Sequence, residues 1–261
     1  MPPYKMMIYF FIITWYNRKN KCCEVSYLHT WLESVLNEQY TFIKRLRNTD
    51  KNEIMVLEHK TLHKRIIKRT FTGNTEVYRE LLTIRHKGFP EVLEVTEHDG
   101  KVTVLEEYID GVTLFELLQD ELYTENAVKA LVSELCDVLS ILHSHRIVHR
   151  DIKPENIMIE NNQTVKLIDF DSARIYKPYY PRDTEYLGTA GYAAPEQYDE
   201  TATDMRADIF SVGVLMNVML TGKTPSVQLY RGKLQKDIEK CIQVSPDKRF
   251  QTVQELKRSL E

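Results

Sequence analysis

Two carboxylates, an amide and a lysine lie close together in the middle of this 261-residue chain. Asp151, Lys153 and Asn156 belong to His149-Arg150-Asp151-Ile152-Lys153-Pro154-Glu155-Asn156, and Asp169 opens Asp169-Phe170-Asp171 after the strand-like run Val165-Lys166-Leu167-Ile168. These residue types suit transfer of a phosphoryl group from ATP. That chemistry needs one carboxylate to orient the acceptor hydroxyl and a second carboxylate plus an amide to hold magnesium. A cation beside the base offsets charge on the transferring group. Each residue alone is what a solvated turn would carry; the ordered set is much harder to reach by chance.

At these residues the chain resembles the eukaryotic-like serine/threonine protein kinase family, whose catalytic loop reads His-Arg-Asp-x-Lys-x-x-Asn and whose metal loop reads Asp-Phe-Gly. Gly188 to Glu196, ending in Ala194-Pro195-Glu196, is similar to the end of that family's activation segment. Asp208 to Gly213 resembles the start of the helix supporting the catalytic loop, and Arg249 in Pro246-Asp247-Lys248-Arg249-Phe250 is the expected partner of Glu196. The resemblance implies an α+β, bilobal protein-kinase-like fold, with an antiparallel sheet plus one helix in the amino lobe and a mainly helical carboxyl lobe. It divides the chain into an N-terminal extension (1–26), a lead-in helix (27–40), an amino lobe (41–109) and a carboxyl lobe (110–261). It also implies ATP and Mg2+, with Asp151 and Lys153 catalytic and Asn156 and Asp169 as metal ligands.

The elements that must position these residues are partly readable from periodicity. Leu28, Trp31, Leu32, Val35 and Leu36 fall on one helix face. Phe42-Ile43, Ile54 to Leu57 and Ile66-Ile67 read as three antiparallel strands between polar turns. Val128, Leu131, Val132, Leu135, Val138, Leu139 and Leu142 repeat at helical spacing up to the catalytic loop. By resemblance, Arg65-Ile66-Ile67-Lys68 stands where the family has Val-Ala-Ile-Lys, so Lys68 is expected to grip the ATP phosphates. Glu80, with Glu76 as the alternative one turn earlier, is expected to pair with it. Leu46, Ile54 and Ile66 are expected around the adenine. Glu107 and Ile109 would offer it backbone groups from the hinge Glu106 to Gly111. His149, Phe170, Ile84 and Val95 correspond to the apolar column linking the lobes.

Several positions depart from the family pattern. In register with Leu-Gly-x-Gly-x-x-Gly-x-Val the chain has Leu46 to Ile54 without a glycine, so the backbone cannot cradle phosphate in the usual way, and Arg47 or Lys51 is expected to compensate by side chain. Ile66 in place of a small residue would narrow the adenine pocket. Glu106, where the family has an apolar or small residue, is a buried carboxylate that needs a partner or a proton. Asp171 replaces a glycine and is expected either to bind solvent or to strengthen metal binding.

Composition bounds the rest. With 43% hydrophobic and 28% charged residues the chain is enzyme-like, and a net charge of −3 gives no footprint for nucleic acid. Four cysteines show neither metal nor disulfide spacing, which fits a reducing cytoplasm. Residues Met6 to Tyr16 form an apolar run too short to span a bilayer. Three readings stay open for it: an interfacial membrane anchor, a docking segment, or an extension foreign to the natural product. Membrane contact is expected only if that run is real. Glu185, near Thr184, is expected to supply a fixed negative charge to Arg150 and Arg174. The expected partner is a protein substrate bearing Ser or Thr, with input from a separate regulatory protein because no sensor domain is seen. A nucleotide-binding or scaffolding pseudokinase and a small-molecule kinase are the alternatives.

Overall fold

A computed structural model describes residues 24–49, 52–179, 189–198 and 203–261. The apolar run at 6–16 and the acidic cluster around Glu185 lie outside the described residues, as does Lys51. Helix α1 (Glu24–Gln39) leads into strands β1 (Tyr40–Asn48), β2 (Asn52–His59) and β3 (Arg65–Phe71). Helix α2 (Glu76–Leu81) follows, then β4 (Val92–His98) and β5 (Lys101–Glu107). The five strands form an antiparallel sheet in the order β1-β2-β3-β5-β4.

Both faces of β3, β4 and β5 are covered, which sets the direction of their side chains. On the outer face, Leu32 and Leu36 of α1 pack on Leu57, Ile66, Leu93 and Leu105. On the inner face, Val77, Tyr78 and Leu81 of α2 join Val95, Val102 and Val104. Strand side chains alternate between faces, so Ile67 and Arg69 point inward while Ile66 and Lys68 point outward. Strand β1 is an exposed edge carrying Lys44, Arg45 and Arg47, charges of the kind that discourage edge-to-edge pairing. The turn after it is closed by Thr49, whose N–H donates to Asn52 O at 2.9 Å, and by Asn52 N–H donating to Thr49 Oγ1 at 3.0 Å.

The carboxyl lobe adds β6 (Gly111–Thr113), α3 (Leu114–Asp120), α4 (Glu125–Ser144), β7 (Ile147–Val148), β8 (Ile157–Glu160), β9 (Val165–Leu167) and β10 (Arg174–Ile175). It continues with α5 (Arg206–Thr221), α6 (Gln235–Cys241) and α7 (Val253–Leu260). Thr113 and Glu116 cap α3 reciprocally. The apolar stripe expected on α4 is buried from Val128 to Leu142. Helix α5 is buried on nearly all sides, and it passes so close to α6 that a Cβ on Gly213 would lie 2.3 Å from Cys241 Cβ. Strands β6-β8-β9 and the pair β7-β10 flank the segments that carry Asp151, Asn156 and Asp169. Among the described residues no helix is long and apolar enough to cross a membrane.

Candidate active site

The loop after β7 is held by a buried carboxylate from α5. Asp208 is fully buried; its Oδ1 accepts from Arg150 N–H at 2.8 Å, and its Oδ2 accepts from His149 N–H at 3.0 Å. Oδ2 also lies 2.8 Å from His143 Nε2. Gln197 Nε2 donates to Arg150 O at 2.8 Å. These contacts keep Arg150 in the left-handed region at φ 65°, a conformation a bulky residue holds only when its surroundings impose it. Beyond it, Asn156 Nδ2 donates to Asp151 O at 2.8 Å and to Asp151 Oδ2 at 2.9 Å. Lys153 Nζ lies 2.8 Å from Asp151 Oδ2 and donates to Thr189 Oγ1 at 2.7 Å, and Thr189 Oγ1 donates to Asp151 Oδ1 at 2.7 Å.

The Asp169-Phe170-Asp171 loop lies beside this group. Ile168 N–H donates to Asn156 O at 2.8 Å, and the His149 and Phe170 rings meet edge-on at 5.0 Å. Phe170, Ile84 and Val95 belong to one buried cluster. Asp169 has φ 64°. Its Oδ1 accepts from Arg69 Nη1 at 3.0 Å and its Oδ2 from Arg47 Nη2 at 3.1 Å. Asp171 faces the same two cations, with Oδ1 2.9 Å from Arg69 Nη1 and Oδ2 3.1 Å from Arg47 Nη1. Tyr78 Oη donates to Asp171 Oδ1 at 2.9 Å, and Asn52 Nδ2 donates to Asp171 Oδ2. Asp171 is thus tied to protein donors rather than left to solvent.

Three expectations are corrected by the strand register. Lys68 is on the outer face, where Nζ meets Glu33 of α1 at 2.6 Å, and it is absent from the site. Glu80 pairs with His145 Nδ1 at 2.7 Å, and Glu76 with Lys177 Nζ at 2.7 Å, so neither meets Lys68. Ile66 packs under α1; Ile67 takes the inner position, in a cluster with Ile54, Val56 and Tyr108 of the hinge. A slip of one residue turns every side chain of a strand to the other face, and that is the whole difference between Lys68 and Arg69. Leu46 is 53% exposed, while Ile109 is buried. Glu107 lies at the end of β5, its side chain 3.4 Å from Lys166 Nζ. Glu196 and Arg249 form the expected pair at 2.6 and 2.7 Å.

The residues missed from sequence are Arg69, Tyr78 and Asn52. The only available signal was the second cation in Lys68-Arg69. Glu106 finds in Arg69 the partner its burial demands, with Arg69 Nη2 donating to Glu106 Oε1 at 3.1 Å. Burial works against the charge on Arg69, but Tyr78, Glu106, Asp169 and Asp171 hold its pKa well above the ordinary guanidinium value. Burial also pushes Asp169 upward, yet Arg69, Arg47 and His149 bring it below the usual carboxylate range. Burial raises Asp171 and Glu106 despite Arg69. Of the two loop carboxylates, Asp171 therefore takes a proton before Asp169 as pH falls.

Comparison with known proteins finds similarity along most of the chain. The protein kinase domain family matches residues 39–261. Serine/threonine-protein kinase 36 of Pongo abelii is 36% identical over 142 residues, 54% of this chain and 11% of that protein. Serine/threonine-protein kinase PknB of Mycolicibacterium smegmatis is 36% identical over 129 residues, 48% of this chain and 20% of that protein. Human Ribosomal protein S6 kinase alpha-3 is 30% identical over 197 residues, 75% of this chain and 26% of that protein. The matched stretches thus span only about a tenth to a quarter of these relatives. With a five-stranded sheet over a helical lobe and a family match across most of its length, the chain belongs to the protein kinase domain family.

Proposed function

We propose that this chain transfers the γ-phosphoryl group of ATP to serine or threonine hydroxyls of a protein substrate. One observation carries the reading: the Thr189 hydroxyl donates to Asp151 Oδ1 while Lys153 Nζ touches both. A carboxylate that accepts from an aliphatic hydroxyl beside an ammonium group is the arrangement an acceptor alcohol needs. Asp151 orients that hydroxyl and takes its proton as its oxygen bonds to phosphorus and the bond to the leaving β-phosphate oxygen breaks. Lys153 offsets the charge carried by the transferring group. The names of the similar kinases support the same acceptor class.

Asp169 and Asn156 would hold Mg2+. Oxygen donors from a carboxylate and an amide suit this hard ion, and three carboxylates, Glu106, Asp169 and Asp171, facing the two guanidinium groups Arg47 and Arg69 leave negative charge for a cation to meet. When bound, the ion would neutralise charge on the phosphates. Ile54, Val56, Ile67 and Tyr108 form the apolar wall that an adenine would meet, with hinge backbone groups from Glu107 and Ile109 nearby. Arg69 replaces Lys68 as the sheet's cation in this reading. We assign the chain to the cytoplasm, where Cys136 and Cys241 stay reduced, with a separate regulatory protein as its input.

The test is transfer of labelled γ-phosphate by the purified chain, compared with Asp151→Asn and Asp169→Ala. Wild type is expected to label a serine/threonine acceptor, and Asp151→Asn to lose about 10²–10⁴-fold. A wild-type chain that binds ATP but labels neither itself nor a generic acceptor would overturn the reading in favour of a scaffold.

A further inference from the structure

The inner face of the amino-lobe sheet carries a buried charged pair, Arg69 and Glu106, whose acidic member touches none of the residues assigned to the reacting groups. Arg69 is 4% exposed and Glu106 6%. In the β3–β5 register Glu106 faces Ile67 and Arg69 faces Val104, so the two side chains are diagonal neighbours on one face. Arg69 Nη2 donates to Glu106 Oε1 at 3.1 Å, while Nη1 donates to Asp169 Oδ1 at 3.0 Å and Asp171 Oδ1 at 2.9 Å. A guanidinium is planar and rigid, so fixing one nitrogen fixes the direction of the other. Helix α2 contributes only the Tyr78 hydroxyl to the cluster, and its Glu80 lies outside against His145.

We propose that Glu106 is a positioning residue for phosphoryl transfer: it aims the Arg69 guanidinium and, through it, holds the Asp169 carboxylate in place for the metal. The inference rests on the kinase reading and adds a residue to it. As a stabiliser alone the pair has little to recommend it, because an apolar pair of similar volume often serves a buried site as well or better. A geometric task does require it. The metal loop is then anchored from β3 and β5, and the helix glutamate expected from the family pattern is unnecessary.

The experiment uses the full chain, Glu106→Gln and the double variant Arg69→Met with Glu106→Met, which removes both members of the pair while Arg47 stays on Asp169 and Asp171. Glu80→Gln is the comparison outside the cluster. Melting curves establish folding, and kcat, the KM for acceptor and the Mg2+ concentration at half-maximal rate are then read. Groups that orient metal ligands typically affect metal affinity or activity by about 10–100-fold. Glu106→Gln and the folded double variant are expected to lower kcat and raise the required Mg2+ by about tenfold or more, with the acceptor KM unchanged and Glu80→Gln like wild type. A folded double variant with wild-type kcat and Mg2+ dependence overturns the proposal. If wild type transfers nothing, the kinase reading fails by itself, and Mg2+-dependent ATP binding by calorimetry decides the inference instead. Binding weakened in both Glu106 variants supports it; equal binding, or none in wild type, overturns it.

Discussion

Arg47 reaches from edge strand β1 across the cleft to Asp169, its Nη2 donating to Oδ2 at 3.1 Å. Because Nη1 contacts Asp171 Oδ2 and Arg69 holds both Oδ1 atoms, every oxygen of the two carboxylates faces a guanidinium. Arg69 is buried, whereas the Arg47 side chain is 43% exposed, so Arg47 is the one able to yield. Arg47→Ala should leave the fold intact and tighten Mg2+-dependent ATP binding by about two- to fivefold, the worth of an exposed ion pair at roughly 0.5–1 kcal/mol. Calorimetric titration checks this. Weaker binding would mean that Arg47 instead helps to hold phosphate.

Lys68 lies on the far face of the sheet with Glu33. Lys68→Ala should therefore retain phosphoryl transfer within about twofold and cost about 0.5–1 kcal/mol of stability, since the pair is only partly buried. A rate assay and urea unfolding measure the two effects. A large loss of kcat with unchanged stability would return Lys68 to the site.

Asp208 supports the catalytic loop from inside α5. Burial pushes its pKa up, but His143, His149 and the Arg150 N–H hold it below its ordinary 3.8. A group lowered on folding contributes stability that is complete above the unfolded value and fades as pH falls through the folded one. Wild type should therefore lose stability below about pH 4 through this group. Asp208→Asn should cost roughly 2–4 kcal/mol at neutral pH, because one acceptor oxygen becomes a donor facing N–H groups. It should also flatten that acid limb, as thermal melts across pH 3–7 would show.

Arg249 has a side chain with no exposure, and it holds Glu196 while also donating to the carbonyls of Arg206, Gln243 and Val244. Arg249→Met should destabilise the carboxyl lobe by about 3–5 kcal/mol, since it leaves Glu196 without its cation. Urea unfolding reads the change. A loss under about 1 kcal/mol would show that the pair is dispensable.

The catalytic loop was legible because its contacts are local. Asn156 and Lys153 close on Asp151 within one turn of chain, so residue types and spacing nearly determine the geometry. Helices α1 and α4 were legible for a similar reason, since each buries a stripe that repeats along its own sequence. The inward face of β3 was not. With α1 over one side and α2 over the other, Ile66 and Ile67 are both buried, and the alternation that normally reveals a strand's orientation disappears.

By itself, the order of residues determined the protein kinase character of the chain, its two-lobed α+β architecture and the grouping of Asp151, Lys153 and Asn156. Tertiary structure alone decided that Arg69 and not Lys68 enters the cleft, that Glu106 and not Glu80 is its partner, and that Arg47 rests on Asp169, 122 residues away. The reason is physical: a turn's geometry follows from its neighbours in sequence, whereas the facing of a doubly covered strand and the meeting of distant charges depend on how the layers pack.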